Sequence, residues 1–502
     1  MVSSIGGWMQ AVGAAWLMTS LSPSPLMVTM VQAASSLPMV FLAMPAGALA
    51  DIANRRTLLL ASQFWMLASA ATLTSFVFAG ALSPALLLAL TFSLAVGTAL
   101  MGPAFQSVIT EVVPASESSA AVSLNSAGFN LARAVGPALG GVILAKTSAG
   151  FTFLLNTFSF LLVIVVLLRW HRQQRKSVLP AERFFGAIRA GLRYVRYAAD
   201  LHVVLLRTGC FVILGSALWA LLPLVVRNQL HLGPSAYGMM LGALGTGALA
   251  GAMLLPTLRR KVPLEILLDC NITLFGAVTV GTAVLRNFAL LLVVLLCGGV
   301  AWITVLSLLN VAARRVVPAW IEARSLATYL LFFQGGTAVG SLIWGAVTAR
   351  IGLQSSLICA GAGLFLNTLL VRGWSLSSVS NVDVTPAATW PQPPTLDPGS
   401  SETAPALVTI QYQVDAARSK EFTARMHELE VVRRRDGAIY WDLFVDPLRR
   451  GFYMEQFLVE SWLEHLRQHE RVTADDDHLQ ETIRLMQAGP DLPKVTHYVA
   501  HE

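Results

Sequence analysis

The feature that most constrains this sequence is the length of its uncharged stretches. Between Arg56 and Glu111 there is no charged residue, which leaves room for two apolar spans of about 20 residues joined by the turn GALSPA. Only 13% of the 502 residues are charged, against about 25% in a typical soluble domain. Because the hydrocarbon core of a bilayer offers the backbone no water, each span is predicted to be a helix.

Twelve apolar blocks of this kind follow one another along the chain. The first, MVSSIGGWMQAVGAAWLM, is barely long enough to span a membrane and lacks a basic segment before it. This favours a truncated start over a signal peptide. The blocks lie near 1–20, 25–48, 57–79, 84–108, 119–145, 151–169, 203–226, 234–257, 264–285, 288–312, 325–348 and 353–371.

Two segments of the chain repeat each other at a constant offset of 204 residues: EVVPASESSAAVSLNSAGFNLARAVGPALGG and RVVPAWIEARSLATYLLFFQGGTAVGSLIWG. An offset that spans six helices predicts a 6+6 parallel repeat with substrate held between the halves. Arg133 aligns with Thr337 and Pro137 aligns with Ser341, so the arginine and the proline are not duplicated. This asymmetry indicates a specific role for Arg133.

The distribution of positive charge predicts the orientation of the chain. With both ends in the cytoplasm, the inner loops hold seventeen Lys and Arg residues, whereas the outer loops hold only Lys146, Arg227, Arg286 and Arg350. The net charge of +7 therefore reflects membrane topology, and nucleic-acid binding is not expected. The four cysteines fall within predicted spans as small buried hydrophobes, so neither a disulfide nor a metal framework is predicted.

Composition divides the chain into five parts. The segment between the halves carries a basic amphipathic helix, suited equally to the membrane surface and to a solvated loop. A Pro/Ser-rich linker then precedes an acidic tail of net charge −5, from twelve Lys and Arg and seventeen Asp and Glu. The predicted parts are 1–170, the first six-helix half; 171–200, the basic loop; 201–372, the second half; 373–405, the linker; and 406–502, the tail domain.

The tail alternates between strand and helix patterns. VTIQYQV, IYWDLFV, FYMEQFLVE and VTHYVAH are predicted strands, and two helices separate them, the second running from SWLEH to LMQAG. The order β-α-β-β-α-β predicts a ferredoxin-like α+β domain. His465 and His469 stand four residues apart on the second helix, where a solvated helix face is favoured over a metal site.

The loop after the second block resembles the signature of the major facilitator superfamily, G-x-x-x-D-R/K-x-G-R-R/K. Gly47, Asp51, Arg55 and Arg56 match it, whereas Ile52 and Asn54 depart from it. Glycine would allow close helix approach and the two arginines would face the anionic leaflet. The resemblance implies twelve helices, and a conformational gating role for the four matching residues.

The fifth block resembles the antiporter signature of the same superfamily, which ends G-P-x-x-G-G. Gly136, Pro137, Gly140 and Gly141 match it, so the resemblance implies a gating helix and export as the direction of transport. Small residues permit tight packing and proline weakens the helical ladder, so this helix could bend between two states. Packing alone is the alternative explanation of the motif.

Longer segments resemble one branch of this superfamily and one family of soluble domains. GGWMQAVGAAWLMTSLSPSPLMVTMVQAASSLPMVFLAMPAGALAD and NLARAVGPALGG are similar to the enterobactin-exporter-like branch. RRRDGAIYWDLFVDP and SWLEHLRQHERVTADD resemble the antibiotic-biosynthesis-monooxygenase-like domain that some members carry. No fixed catalytic set transfers from that family, so a dimerising or regulatory tail is expected in place of an enzyme.

Arg133 is the principal candidate for substrate binding. A charge within a span is costly and is therefore a functional hypothesis by default. Guanidinium presents a planar fork of donors, which suits an anionic or strongly polar group, and Asn125 and Phe129 lie on the same helical face. Gln32 and Gln334 are further candidates from other spans. The alternative is a structural arginine bound to helix ends or polar side chains, including Gln10, Gln63 and Asn156.

Carboxylates are scarce within the spans. Asp269 lies within the ninth block, and Asp51 at a helix end. These two are the candidates for proton coupling, although each also fits a structural role. A chain that buries arginines, Arg133 and with it Arg207, favours neutral or anionic cargo over cationic drugs.

Together these observations predict a secondary transporter of the cytoplasmic membrane, multi-pass, with both termini and the tail domain in the cytoplasm. Its expected partners are the lipid bilayer, a small amphipathic substrate such as a siderophore or drug, a proton or other coupling ion, and a second copy bound through the tail domain. No cofactor is expected. The alternatives are an active cofactor-independent monooxygenase in the tail that acts on the cargo, and uptake in place of export.

Overall fold

Twelve long helices make up most of the described chain. The computed structural model describes residues 1–52, 54–114, 117–170, 189, 193–371, 374, 383, 385, 387, 404–488 and 493–500. The helices are α1 (Val2–Leu21), α2 (Pro25–Ile52), α3 (Arg55–Phe78), α4 (Pro84–Val112), α5 (Ser118–Lys146), α6 (Ala149–Arg169), α7 (Ala199–Leu224), α8 (Pro234–Lys261), α9 (Leu264–Val284), α10 (Phe288–Arg315), α11 (Glu322–Ile351) and α12 (Leu353–Leu370).

Local sequence signals explain where several of these helices begin. Asn54 caps α3 by accepting a hydrogen bond from the backbone N–H of Arg56 at 3.0 Å. Ser83 caps α4 in the same way, and Pro84 follows it at a position where the missing N–H costs nothing. A π-helical turn, Val225–Gln229, extends α7.

Eleven helices of the described part are long and apolar enough to cross a membrane. α1 is the long helix that is not among them, although it packs against α5 and α6 like a member of the bundle. Asn156 on α6 donates a hydrogen bond to Gln10 on α1. Because such polar contacts within a bundle satisfy groups that lipid cannot, they stabilise the position of α1.

The chain separates into two compact units. Most of both six-helix sets, α1–α6 and α7–α12, belongs to the first unit. The second unit holds the tail together with segments that lead into or out of α7, α10 and α11. Unit 1 is 1–181, 205–311 and 327–375; unit 2 is 182–204, 312–326 and 376–502.

The tail is an antiparallel four-stranded sheet with helices. Its strands are β1 (Ala406–Gln413), β2 (Ala438–Val445), β3 (Phe452–Val459) and β4 (Lys494–Val499), in the order β2-β3-β1-β4. α13 (Ser419–Asp436) lies between β1 and β2 in the chain. Alternate strand residues such as Val408, Tyr412 and Phe457 pack with Phe422 of α13 to form the core.

The second helix predicted for the tail is two helices, so the prediction of one long helix was wrong. α14 (Trp462–Arg471) ends before Val472, and α15 (Ala474–Arg484) begins after Thr473. The hydroxyl of Thr473 accepts from the N–H of Asp476, and the Asp476 carboxylate accepts from the N–H of Thr473. This reciprocal cap starts a new helix within the predicted one.

Other predictions require correction or lie outside the described residues. In unit 1, Cys270 and Cys359 are exposed and Cys210 and Cys297 are half-buried, so the expectation that all four cysteines are buried was wrong; all four are free. His465 is 2% exposed, so the prediction of a solvated face was wrong there. Most of the predicted basic loop (171–200) and linker (373–405) lies outside the described residues, as does the side chain of Asp51.

Candidate functional site

Arg133 lies at the middle of α5 between two indole rings. Its guanidinium carbon is 6.0 Å from the ring centroid of Trp8 on α1 and 5.5 Å from that of Trp219 on α7. Both distances are within the range of cation–π attraction. The site therefore joins one helix of the second six to two of the first six.

Two buried polar atoms of this site are donors without an acceptor among the described residues. The buried Nε of Arg133 and the buried Nε1 of Trp219 have no hydrogen-bond partner among the described residues. In the same part of the chain no carboxylate is recorded within ion-pair distance of Arg133. A buried donor left unsatisfied costs about 1–3 kcal/mol, so an acceptor-bearing ligand would remove a penalty that the protein alone carries.

The residues predicted to accompany Arg133 differ in their exposure. Asn125 is half-buried on α5, Phe129 is exposed, and Gln32 and Gln334 are half-buried on α2 and α11. Trp8 and Trp219 were missed, because sequence spacing relates positions on one helix and not on three. The sequence showed only that each tryptophan lies within a span, which does not indicate which side chain it contacts.

Aromatic rings continue the site into the second set of helices. Trp219 lies 5.5 Å from Trp302 of α10, measured between ring centroids. Trp302 in turn lies 5.2 Å from Phe211, 5.2 Å from Phe275 and 6.4 Å from Phe333. All of these centroid distances lie within the range of about 4.5–7 Å for interacting aromatic pairs. They give Arg133 an apolar, rigid surrounding on one side.

The glycines that follow Arg133 serve two different helix contacts. A Cβ on Gly136 would lie 2.7 Å from Cβ of Trp8, and one on Gly140 would lie 2.9 Å from Cα of Met9. These two glycines therefore allow α1 to approach α5. Since α1 carries Trp8, this close approach also positions one of the two rings beside Arg133.

Gly141 instead faces α8. A Cβ there would lie 2.6 Å from Cα of Gly238 and 2.9 Å from the carbonyl oxygen of Pro234. Farther along the same seam, a Cβ on Gly245 would lie 2.6 Å from Cα of Ala134. Pro137 is buried within α5. Backbone packs on backbone along this seam, so no larger residue fits while the two helices stay together.

Further contacts between the two six-helix sets lie at the same end of the bundle. Arg227, just after α7, donates to the hydroxyls of Thr19 at 2.9 Å and Ser20 at 2.6 Å at the end of α1. Trp16 of α1 stacks on Tyr237 near the start of α8, with 6.1 Å between centroids. The bundle is thus closed at the end where α1 and α5 finish and α8 begins.

The loop residues after α2 have separate surroundings. A Cβ on Gly47 would meet no described atom within 4 Å, so the expected close helix approach is not seen there among the described residues. Arg56 donates from Nε to the carbonyl of Leu167 at 3.0 Å and from Nη2 to that of Leu168 at 2.7 Å. Because these carbonyls are among the last of α6, Arg56 satisfies orphan acceptors there. Arg55 lies beside it in the first turn of α3.

A polar cluster surrounds Arg207 in the second set of helices. Arg207 is 4% exposed; it pairs with Glu265 of α9 at 2.8 Å and donates to the carbonyl of Val371 at 3.1 Å. Asp269, one turn after Glu265, lines a small cavity together with Arg207. Arg207 therefore has a counter-ion, whereas Arg133 has none among the described residues, and a carboxylate candidate for coupling lies beside the Arg207 pair.

Comparison with known proteins gives a consistent result. The family described as transmembrane secretion effector, a group of major facilitator (MFS) transporters, matches residues 1–502. The staphyloferrin A transporter of Staphylococcus aureus is 23% identical over 58% of this chain and 72% of its own length. The multidrug efflux pump Tap of Mycobacterium tuberculosis is 22% identical over 77% of this chain and 94% of its own.

Solved structures agree on the fold of the helical part. A nucleoside transporter superposes with a TM-score of 0.61 at 10% identity, over 74% of this chain and 96% of its own. A bacterial homologue of the human lysosomal transporter Spinster, in an inward-facing and occupied conformation, gives 0.57 at 14% identity over 76% and 93%. At these identities the likeness shows the fold alone.

Proposed function

Because this chain belongs to the transmembrane secretion effector family of major facilitator transporters, we propose that it exports a small amphipathic molecule from the cell. The observation that carries the proposal is Arg133, whose guanidinium lies between Trp8 and Trp219 with an unsatisfied Nε. These rings come from opposite six-helix sets. A ligand there would contact both halves, as alternating access requires.

The chemistry of the site favours a cargo with anionic or acceptor groups. Arg133 Nε and Trp219 Nε1 are both donors, and a cationic cargo would meet a positive charge with no recorded counter-ion among the described residues. The aromatic rings around Trp302 suit an apolar or aromatic body. A siderophore is such an amphipathic anion, and one relative is a staphyloferrin A transporter. Asn125, Phe129, Gln32 and Gln334 are proposed as additional contacts in another state of the cycle.

Alternating access would use the seam between α5 and α8. The closed end contains Gly141 against Gly238, and Pro137 lies one turn earlier in α5. With the termini in the cytoplasm, that end is the outer one, so this conformation would be open inward. Gly136 and Gly140 would keep α1 attached to α5 as the seam opens. The loop around Gly47, Asp51, Arg55 and Arg56 would make the matching contacts at the inner end.

Coupling to protons is proposed to involve Asp269, with Asp51 as the other candidate. Asp269 lies in the cavity beside Arg207, which is already paired with Glu265. A proton gained or lost in this cluster would change the balance of charge around a buried arginine. Collapse of the proton gradient in the transport assay below tests whether export depends on it.

The predicted topology and tail domain belong to the same proposal. α1 is proposed as a twelfth span, and 1–170, 171–200, 201–372, 373–405 and 406–502 as the functional parts. The strand order β2-β3-β1-β4 supports a ferredoxin-like, monooxygenase-like fold for the tail. Tyr440, Phe444 and Tyr498 are exposed on the sheet, which would allow a second copy to bind there.

The test is export from cells stripped of their own exporters. We would compare a labelled catecholate siderophore with a cationic dye in wild type, Arg133→Lys and Arg133→Ala, with Arg259→Ala as a control for general effects of losing an arginine. Loss of a charge-assisted hydrogen bond costs about 1.5–3 kcal/mol, so Arg133→Ala should lower siderophore export roughly 10- to 100-fold. Trp219→Phe, which keeps an aromatic ring but removes the N–H donor, should have a smaller effect. The proposed cargo would be refuted if wild type exports the dye and not the siderophore, and if Arg133→Ala leaves dye export unchanged.

A further inference from the structure

The tail domain makes a set of buried contacts with two other segments of its own unit. One segment, 193–200, leads into α7, and the other, 312–326, joins α10 to α11. In the tail, Arg435, Gly437, Glu464 and Arg471 form the surface that meets them, which we call the docking surface. Neither export by the helices nor the tail's resemblance to an enzyme accounts for these contacts.

An ion pair anchors the first segment. Arg193 Nη2 lies 3.0 Å from Glu464 Oε1, and both side chains are mostly buried. The same carboxylate accepts from Arg471 Nη1 at 2.7 Å. Burial alone would raise the pKa of Glu464, but the hydrogen bond and charge of Arg471, with those of Arg193, hold it below its usual range. Glu464 is therefore ionised when both arginines face it.

Aromatic contacts extend the docking surface to the second segment. The guanidinium carbon of Arg471 lies 4.4 Å from the ring centroid of Trp320, and that of Arg435 lies 5.7 Å from Tyr194. Tyr194 meets Trp320 edge to face at 5.8 Å, and its hydroxyl donates to the carbonyl of Val316 at 3.0 Å. Tyr194, which is 2% exposed, thus contacts the tail and the second segment at once.

Gly437 lies directly against the ion pair of Arg193 and Glu464. It ends α13 with a φ of +140°, and a Cβ there would lie 3.2 Å from Glu464 Oε1 and 3.3 Å from Arg193 Nη2. Glycine adopts this backbone conformation without strain, and a larger residue would press on the ion pair. By contrast, Arg189 pairs with Glu460 at 2.8 Å, but both of those side chains are more than half exposed. Such an exposed pair contributes little.

We propose that the docking surface is a binding site for the segments 193–200 and 312–326, and that by holding them together the tail sets the rate of transport. Both segments contain helix ends of the second six-helix set, namely those of α7, α10 and α11. The docked tail makes these three ends move as one body. It is therefore a positioning element for these helix ends.

The test uses the full chain in lipid nanodiscs, with hydrogen exchange and transport measured on the same variants. Arg193→Glu places two like charges at the buried pair, and Arg189→Glu is the matched control at the exposed pair. We expect Arg193→Glu and Trp320→Ala to raise amide exchange in 312–326 and in α14 at least tenfold. Arg193→Lys, which keeps the positive charge, should retain most of the wild-type protection. Arg189→Glu should leave exchange near that of wild type.

Transport then tests the second part of the proposal. Arg193→Glu should lower the maximal rate several-fold with the KM for cargo unchanged, because Arg193 does not lie at the Arg133 site. Unchanged exchange in 312–326 after Arg193→Glu would overturn the docking. Raised exchange with an unchanged transport rate would overturn its role in transport. Neither result would affect the proposed cargo site, which the Arg133 variants test separately.

Discussion

Gly141→Ala is expected to shift the transporter away from the closed seam between α5 and α8. The added Cβ would lie 2.6 Å from Cα of Gly238 and 2.9 Å from the carbonyl oxygen of Pro234. Both neighbours are backbone atoms, which cannot move aside as a flexible side chain can. Overpacking of this kind costs about 1–3 kcal/mol, and the cost applies only while the seam is closed.

The magnitude follows from the two-state equilibrium. A penalty of about 1–3 kcal/mol on one state lowers its population relative to the other roughly 5- to 150-fold. Gly102→Ala in α4 is the matched control, because a Cβ there would meet no atom of the described residues within 4 Å. That control carries the same change in helix propensity without the backbone contact.

The measurement is the distance between spin labels at Thr147, after α5, and Ser235, in the first turn of α8. Labels would be placed in a background without the four native cysteines and read by double electron–electron resonance in nanodiscs. The short distance should dominate in wild type and in Gly102→Ala, and lose population in Gly141→Ala. If Gly141→Ala keeps the wild-type distribution, the close approach at Gly238 does not distinguish the states, and the reasoning fails.

Two further predictions concern the tail domain, each measured by hydrogen exchange of β1 and β3 in the full chain. Glu455→Gln should lower the free energy of unfolding of the tail by about 3–5 kcal/mol. Glu455 is fully buried, and its loss leaves the buried charge of Arg433, 2.9 Å away, without this counter-ion. Glu428→Gln, at an exposed pair, should change the free energy of unfolding little, and equal effects of the two variants would contradict the argument. Burial lowers the pKa of His465 from 6.5 to about 4, so between these pH values the folded tail binds fewer protons than the unfolded chain. The stability of the tail should therefore be complete above pH 6.5 and fall by about 3 kcal/mol towards pH 4. His465→Gln should reduce this dependence on pH.

The linear sequence was sufficient for the class of protein and for most of the helices. A charge-free stretch such as 57–110 is expected to form helices in a bilayer, since its backbone must form its hydrogen bonds within each span. The membership of the chain in the major facilitator transporters, predicted from Gly47 to Arg56 and from Gly136 to Gly141, is confirmed by the family match. The roles proposed for those residues remain predictions.

The tail shows where local patterns reach their limit. Its strands follow from alternation of apolar and polar residues, and their positions match the predicted ones closely. The break between α14 and α15 was missed although the cap at Thr473 and Asp476 is a local signal, because the apolar period continues across it. The burial of His465 could not be predicted, since it depends on which helix face meets the sheet.

The contacts that matter most for function depend on residues far apart in the chain. Arg133 was identified as exceptional from its cost in lipid, but Trp8 and Trp219 became its neighbours only when three helices packed together. Arg193 and Glu464 are separated by 271 positions. Hydropathy and periodicity report how one segment meets its solvent, whereas the pairing of side chains depends on how segments pack in three dimensions. The sequence thus determined what each segment is, and the tertiary structure alone decided which segments meet.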